Sequence, residues 1–583
     1  MLGREGERGA TLLDVVVGSA LMTLVFTGIV GAFQLSVDAV SNNKARAGAI
    51  ALTNERLEYI RSLSYDAIGT VGGIPSGAME QTATSTLNDV AYTRRTFVSY
   101  EDDPSDGTGG ADSNGVVVDY KAAKVSVSWN SRQGTRTITM VTRISPPTGI
   151  EVDVPGGTIV IHAVDSMFQP IANAQVRIMN VSLTPSIDLT TYTDELGVAT
   201  VIGAPAGAGY AVVVTKAGLS SAQTYGVTAT NTNPIPAHLG VALYQTTAAT
   251  FEIDVLSNLE IQTFKALEED VWTDSFADDT SVATSSAVVV GGGTVQLEGV
   301  MGSYAAEGEL TSNALSVPYL SRWKELSWNE TVPAGTDIVY HVYDSSYDLI
   351  PNNELAGNAG GFTTSPVNLT GLSTSTYSLL RVGATLSSAD PNETPVLNAW
   401  SVTYDVGPEP LPNLDFEIHG AKIIGSASDG SLIYKYEDEL TTSAQATAQL
   451  NNIEWDLYTM SVPASTDYDI ASSCPPQPLG IIPATSVVAQ LYLSPHTANS
   501  LLVDVRDATS AIIPNATVQL SRTSYDTSIA ADQCGQAFFM GLSAGSVGTG
   551  NPYTIEVSAS GYTSYTSSEV NVSGTTRLSV ILN

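Results

Sequence analysis

Gly541-Leu542-Ser543-Ala544-Gly545 spells G-x-S-x-G, the spacing that in a hydrolase lifts a serine hydroxyl onto a sharp turn between a strand and a helix. Here the motif stands between two strand-like stretches, and His496 is the last histidine, so the base that should follow the serine is missing from the sequence. The five histidines, His162, His238, His341, His419 and His496, are scattered without H-E-x-x-H or any other paired spacing. No phosphate-cradling glycine motif is present, and no carboxylate pair suited to glycoside hydrolysis stands out among 59 acids. The expectation is a protein that is not an enzyme.

Three other sets carry binding chemistry. In "EDDPSDGTGGADSNG", Asp102, Asp103, Asp106 and Asp112 offer the carboxylate oxygens that Ca²⁺ prefers, although Pro104 interrupts the set and the spacing is not that of an EF-hand. A solvated acidic turn is the alternative. Trp323, Trp328 and Trp400 could stack on sugar rings if exposed, but each sits in an alternating strand, where core packing is the commoner role. Cys474 and Cys534 match no zinc spacing; they either form one bond between neighbouring modules or remain two free thiols.

The elements that must position these residues are mostly β. With 583 residues the chain holds about three to six domains. Only 24 Lys and Arg oppose the 59 acids, a net charge of -35 with no basic block, which argues against nucleic acid as a partner. A 14% share of charged residues beside 43% hydrophobic ones leaves a surface of hydroxyls and amides, a composition common in exported β-proteins. Two cysteines are too few for a disulfide scaffold, so packing must supply the core.

The amino terminus departs from that pattern. Val15 to Val37 carries no charge and as a helix spans about 35 Å, enough to cross a bilayer. A short charged leader, MLGREGERG, precedes it, and Asp14 stands at its edge. Beyond Val37 the pattern turns amphipathic, with Ile50, Leu57 and Ile60 able to share a face, and the helix should end near Ser62, before the glycine-rich run Gly69 to Gly77. Residues 6 to 62 resemble the class III signal and spine helix of type IV pilins and pseudopilins. That resemblance implies cleavage by a prepilin peptidase after Gly9, N-methylation of Ala10, and a role for Asp14, where the family usually has Glu, in pairing with the amino terminus of a neighbouring subunit during assembly. A lone carboxylate in hydrocarbon wants such a cationic partner whatever the family. An uncleaved single-pass anchor is the alternative.

Residues 63–148 alternate in "AYTRRTFVSY", "VVVDYKAAKVSVSW" and "RTITMVTRI", as a small β head packed on the helix would. After the hinge "SPPTGIEVDVPGG" the chain repeats itself. "IVIHAVDSMFQPIANAQVRI" from Ile159 aligns with "LLVDVRDATSAIIPNATVQL" from Leu501, "TDELGVAT" from Thr193 with "ADQCGQAF" from Ala531, and "YAVVVTKAGL" from Tyr210 with "YTIEVSASGY" from Tyr553. These blocks are similar to the carboxypeptidase-regulatory or transthyretin-like domain, which implies immunoglobulin-like β-sandwiches at 157–247 and 498–583. Residues 411–495 form a diverged copy without the Asn-Ala and D-x-x-G signals. Residues 248–408 form a longer all-β block with the pattern of a jelly-roll-like sandwich of the carbohydrate-binding kind.

The expected architecture is thus mainly β: a leader (1–9), a spine helix (10–62), a head (63–148) and tandem sandwiches. The expected function is that of a minor pilin or pseudopilin of a type IV pilus or type II secretion-like filament. It would anchor in the inner (cytoplasmic) membrane as a precursor and afterwards display its sandwiches on the cell surface for adhesion or recognition. Partners are other pilin subunits, the peptidase, the membrane and a polysaccharide or other surface ligand; no cofactor beyond Ca²⁺ is expected. The alternative is a membrane-anchored carbohydrate-binding protein with no filament role.

Overall fold

The computed structural model of the chain describes residues 12–103, 105, 107, 118–132, 134–147, 154–463, 465–549 and 551–583. Helix α1 (Leu12–Ser62) runs unbroken for 51 residues and stops where the glycine-rich segment approaches. None of its most apolar stretch is buried, and Phe26, Phe33 and Leu35 are more than half exposed. Its hydroxyls turn inward: Ser19 donates to the Val16 carbonyl, Thr23 to Ser19, Thr27 to Leu24 and Ser36 to Ala32, at 2.8–3.0 Å. Satisfied within the helix, they leave no unpaired hydroxyl donor on its apolar surface.

The second half of α1 behaves differently. Ala45, Ala49, Thr53, Leu57 and Ile60 recur about once per turn and are buried, whereas Ile50, expected on that face, lies half-buried at its flank. The stripe packs on a four-stranded antiparallel sheet of Thr82–Leu87, Val90–Glu101, Tyr120–Ser131 and Gly134–Ile144, in that order. Val98, Ala123, Val125, Val127 and Trp129 complete its core. The outermost strand, Thr82–Leu87, was hidden from pattern reading because TATSTL has almost no apolar alternation. Lys121 is buried but satisfied: its ammonium donates to the carbonyls of Tyr65 and Ile68 at 2.8 and 2.9 Å and lies over the Tyr65 ring.

The chain divides into two compact units, one ending at Leu256 and including Lys422–Lys435, the other comprising Ser257–Ala421 and Tyr436–Asn583. In the first unit the head shares a core with a sandwich, since Ile74, Phe97 and Tyr100 pack among Ile159, Ile161, Ile178 and Val212. The glycine-rich segment makes this approach. Gly72 has φ +69° and accepts a 2.9 Å hydrogen bond from Asp188 N, and a Cβ on it would stand 3.0 Å from the Asp188 carbonyl oxygen. In one sheet of the sandwich, Gly157–Val164 lies between Thr246–Glu252, parallel to it, and Val198–Ala204, antiparallel. The other sheet runs Ser221–Gln223, Gly207–Thr215, Gln175–Asn180, Ile187–Tyr192.

The same plan recurs in the second unit. Asn499–Asp507 lies between Gly574–Leu582, parallel, and Gln536–Phe539, antiparallel. The repeated signals do the same local work in both copies. Asn173 and Asn515 take φ +56° and +58°, and Asp194 and Asp532 each accept two backbone N–H bonds across the turn that Gly197 and Gly535 close in the left-handed region. Tyr210 and Tyr553 donate to the Pro205 and Ser543 carbonyls, and burial pushes the Tyr210 hydroxyl up to about 12.

The diverged copy corrects the expected boundaries. Its parallel pair joins Ser486–Pro495 to Ser257–Lys265, so the strand expected to open the jelly-roll-like block is the first strand of this sandwich. Thr246–Glu252, with residues 248–252 also expected in that block, completes the first sandwich. Residues 266–408 are therefore an insertion, and Lys265 and Glu409 face each other across paired strands with a 2.6 Å ion pair where the chain leaves and returns. The inserted body has two antiparallel sheets, of six and five strands, around Trp323, Tyr340, Leu380, Trp400 and Val402. The Asn-Ala and D-x-x-G signals are absent here, and other residues make the turns: Asn413 takes φ +57°, and Ser443 accepts from Gln445 N and Thr447 N where the other copies use Asp. Residues 422–435, expected within this copy, belong to the first unit, where Ile423–Ser426 pairs with Asn233–Pro234 and Leu432–Tyr434.

Candidate functional site

Gly9 and Ala10 lie outside the described residues, and Asp14 falls in the first turn of α1. Of the acidic loop, Asp106 and Asp112 also lie outside them. Asp103 accepts hydrogen bonds from the Ser105 backbone and hydroxyl at 3.1 and 2.7 Å, bonds that hold its carboxyl below the ordinary range, while Asp103 N donates to Asp119. Of the expected Ca²⁺ set the described members are Asp102 and Asp103, and Asp103 forms a local Asx turn; among the described residues no three His, Cys, Asp or Glu side chains gather to hold a metal.

The tryptophans face inward. Trp323 and Trp400 are fully buried, Trp323 donating to the Tyr377 carbonyl at 2.7 Å and Trp400 lying 5.3 Å from the Phe276 ring. Trp328 is half-buried, its ring stacked at 3.9 Å on Tyr340, whose hydroxyl burial raises well above its usual value. Neither Trp323 nor Trp400 presents a face to a sugar, which corrects the glycan-contact expectation and fits the core role their alternating strands suggest.

Cys474 and Cys534 form a disulfide with their Cα atoms 5.6 Å apart, joining strand Tyr468–Cys474 of the diverged copy to the Asp532–Gly535 turn of the last sandwich. Polar bonds extend the seam: Ser472 donates to Asp532, Ser473 N donates to Gln536 Oε1 at 2.6 Å, and Gln536 donates on to the buried Asp504. Nearby, His496 meets the buried Asp469 at 2.8 Å. Ser543 lies in a loop between the strands Gln536–Phe539 and Tyr553–Ser558, with its carbonyl engaged by Tyr553.

A further site comes from residues that pattern reading treated only as strand. In AKVSVSW of strand Tyr120–Ser131, Ala123, Val125, Val127 and Trp129 face α1, so period two turns Lys124, Ser126 and Ser128 to the opposite face. Their register partners Arg95, Phe97, Thr137 and Thr139 share that face. Asn173, Thr190, Thr191 and Tyr192 of the first sandwich form the opposing wall of a cleft of about 350 Å³. Gln81 fixes the two walls, its amide donating to the Val71 and Asp188 carbonyls at 2.9 and 2.6 Å and its oxygen accepting from Thr190 N at 3.3 Å.

No family model matches the chain, and no curated protein matches it. Solved structures do. The Bacillus anthracis TIE protein is 11% identical over 86% of this chain and 73% of its own, with a TM-score of 0.15. BcpA, the major pilin subunit of Bacillus cereus, is 9% identical over 73% of this chain and 99% of its own, with a TM-score of 0.13. The full-length major pilin SpaD from Corynebacterium diphtheriae is 10% identical over 74% and 99%, also with a TM-score of 0.13. The latter two are major pilins, and at such scores the fold of this chain rests on the sheets described above.

The arrangement supplies anchoring and binding chemistry. An apolar half-helix needs hydrocarbon or other helices around it. The cleft offers cations and hydroxyls in a chain that is otherwise strongly acidic. Its walls are separated by dozens of residues, so the only signal for it was the polar face of an alternating strand.

Proposed function

We propose that this chain is a minor pilin-like subunit that displays modular β-sandwiches on a cell-surface filament of the type IV pilus or type II secretion kind. The observation that carries the reading is the division of α1 into two environments. Its first half is apolar, exposed and internally satisfied in its hydroxyls, and its second half is bound through Ala45, Ala49, Leu57 and Ile60 to a four-stranded head. A helix of this kind can be accommodated in a bilayer or in a bundle of identical helices, which is what a subunit needs to pass from membrane to filament.

On this reading a prepilin peptidase cuts after Gly9, Ala10 becomes the methylated amino terminus, and Asp14 pairs with the amino terminus of a neighbouring subunit. The bulk beyond the head makes the chain a sparse or terminal subunit, because repeating it at every helical position would block close packing. Its role is display, not catalysis.

Mass spectrometry of the amino-terminal peptide from sheared surface filaments tests this. A peptide beginning at N-methylated Ala10 supports processing and incorporation together. An intact leader on protein confined to membranes overturns the filament and leaves a static anchor carrying binding modules.

A further inference from the structure

We propose that the cleft between the head sheet and the first sandwich binds a carboxylated oligosaccharide, such as a uronic acid chain, with Arg95 and Lys124 taking the carboxylate. The proposal rests on the display reading for its biological setting and deepens it by naming a ligand class.

Charge comes first. The chain has 59 acids, yet none of the described residues lining the cleft is Asp or Glu. Arg95 and Lys124 both line it, and neither forms an ion pair among the described residues. Arg95 is partly buried, with its guanidinium 5.0 Å from the centre of the Tyr192 ring and one N–H given to the Tyr192 hydroxyl, which leaves most of its five donors free for a planar acceptor. An unpaired cation in a recess lined by no Asp or Glu attracts an anion locally, against the net negative charge of the rest of the chain.

The remaining lining selects among anions. Ser126 and Thr139, and Ser128 and Thr137, pair across strands at 2.9 Å, and in each pair either hydroxyl can donate. Such rows switch between donating and accepting, which suits the hydroxyls of a sugar, each of them both donor and acceptor. Asn173, Thr190 and Thr191 repeat that chemistry on the opposite wall, and Phe97 supplies an apolar floor beside Lys124. The volume of about 350 Å³ suits a few linked pyranose rings better than the broad flat contact a protein partner needs.

Isothermal titration of the detergent-solubilised full chain with trigalacturonate, its carboxyl-reduced neutral trimer and an oligo-glutamate peptide tests the proposal. Trigalacturonate should bind with an affinity that falls as salt rises, and the neutral trimer should bind at least about tenfold more weakly. Arg95→Gln and Lys124→Gln should each weaken trigalacturonate at least about tenfold. Lys124 is exposed, so its substitution reports on the cleft even if Arg95→Gln disturbs the fold. No binding of trigalacturonate, binding that survives both substitutions, equal binding of the neutral trimer, or tighter binding of the peptide overturns it. A chain whose leader is never removed would still bind trigalacturonate, so failure of the filament reading leaves this result distinguishable.

Discussion

The hydroxyl of Tyr92 donates a 2.9 Å hydrogen bond to the carbonyl oxygen of Ala45, tying the second strand of the head to α1. The strand comes this close because position 48 is glycine: a Cβ there would stand 2.5 Å from the Tyr92 oxygen. Tyr92→Phe should therefore cost about 1 kcal/mol, one buried hydrogen bond. Gly48→Ala should be better tolerated on the Tyr92→Phe background than on the wild type, so the double variant departs from the sum, because removing the hydroxyl relieves the clash. Amide hydrogen exchange across residues 45–60 of α1 measures each term. Additive effects would show that the two positions do not touch.

The elements legible in the sequence were those whose signal is local. The apolar run and the glycine-rich stop marked α1 to Ser62, and Asn173, Asn515, Asp194 and Asp532 announced turns because their backbone and side-chain bonds lie within a few residues. Pairing was not local. Ser257–Lys265 alternates like any half-buried strand, but its parallel partner, Ser486–Pro495, lies more than 200 residues on, so nothing at position 257 distinguished the first strand of one sandwich from the first strand of another. The cleft escaped for the same reason, since Arg95 and Tyr192 meet only through the docking of head on sandwich.

The disulfide should act on the last two sandwiches alone. Cys474 and Cys534 are 60 residues apart, for which the chain-entropy model gives about 4 kcal/mol of stabilisation. In the Cys474→Ser/Cys534→Ser variant the last sandwich should unfold at lower denaturant, while exchange protection across Gly157–Val164 stays unchanged. Alkylation of both thiols in the native protein without reductant would show instead that the bond does not form.

Asp504 should tilt stability with pH. Burial raises its pKa above the ordinary carboxylate value, while the Gln536 hydrogen bond and the charges of Arg577 and Arg506 pull it partly back. Between the ordinary value and the raised one, the folded chain holds a proton that the unfolded chain has released. This contribution is therefore fully present below the ordinary value and is lost as pH rises through the raised one. Asp504→Asn keeps an acceptor for Gln536 and removes the charge. Melts of the last sandwich from about pH 3 to about pH 7 should show the variant gaining on the wild type as pH rises. Parallel curves would mean that Asp504 is solvated when charged.

Trp323 separates the two places where a sugar site could lie. It fills the centre of the inserted body, edge-on to Tyr404 at 5.9 Å and hydrogen-bonded to the Tyr377 carbonyl, so its loss leaves a large cavity and an unpaired acceptor. Trp323→Ala should destabilise that body by about 3–5 kcal/mol. Exchange protection should fall across Leu320–Thr331 and Val396–Val406, its register partner. Trigalacturonate affinity should change by less than about twofold, because Trp323 and the cleft belong to different compact units and share no partner. Loss of that affinity in Trp323→Ala, or in Trp328→Ala at the half-buried ring on Tyr340, with Arg95→Gln and Lys124→Gln silent, would place sugar recognition in residues 266–408.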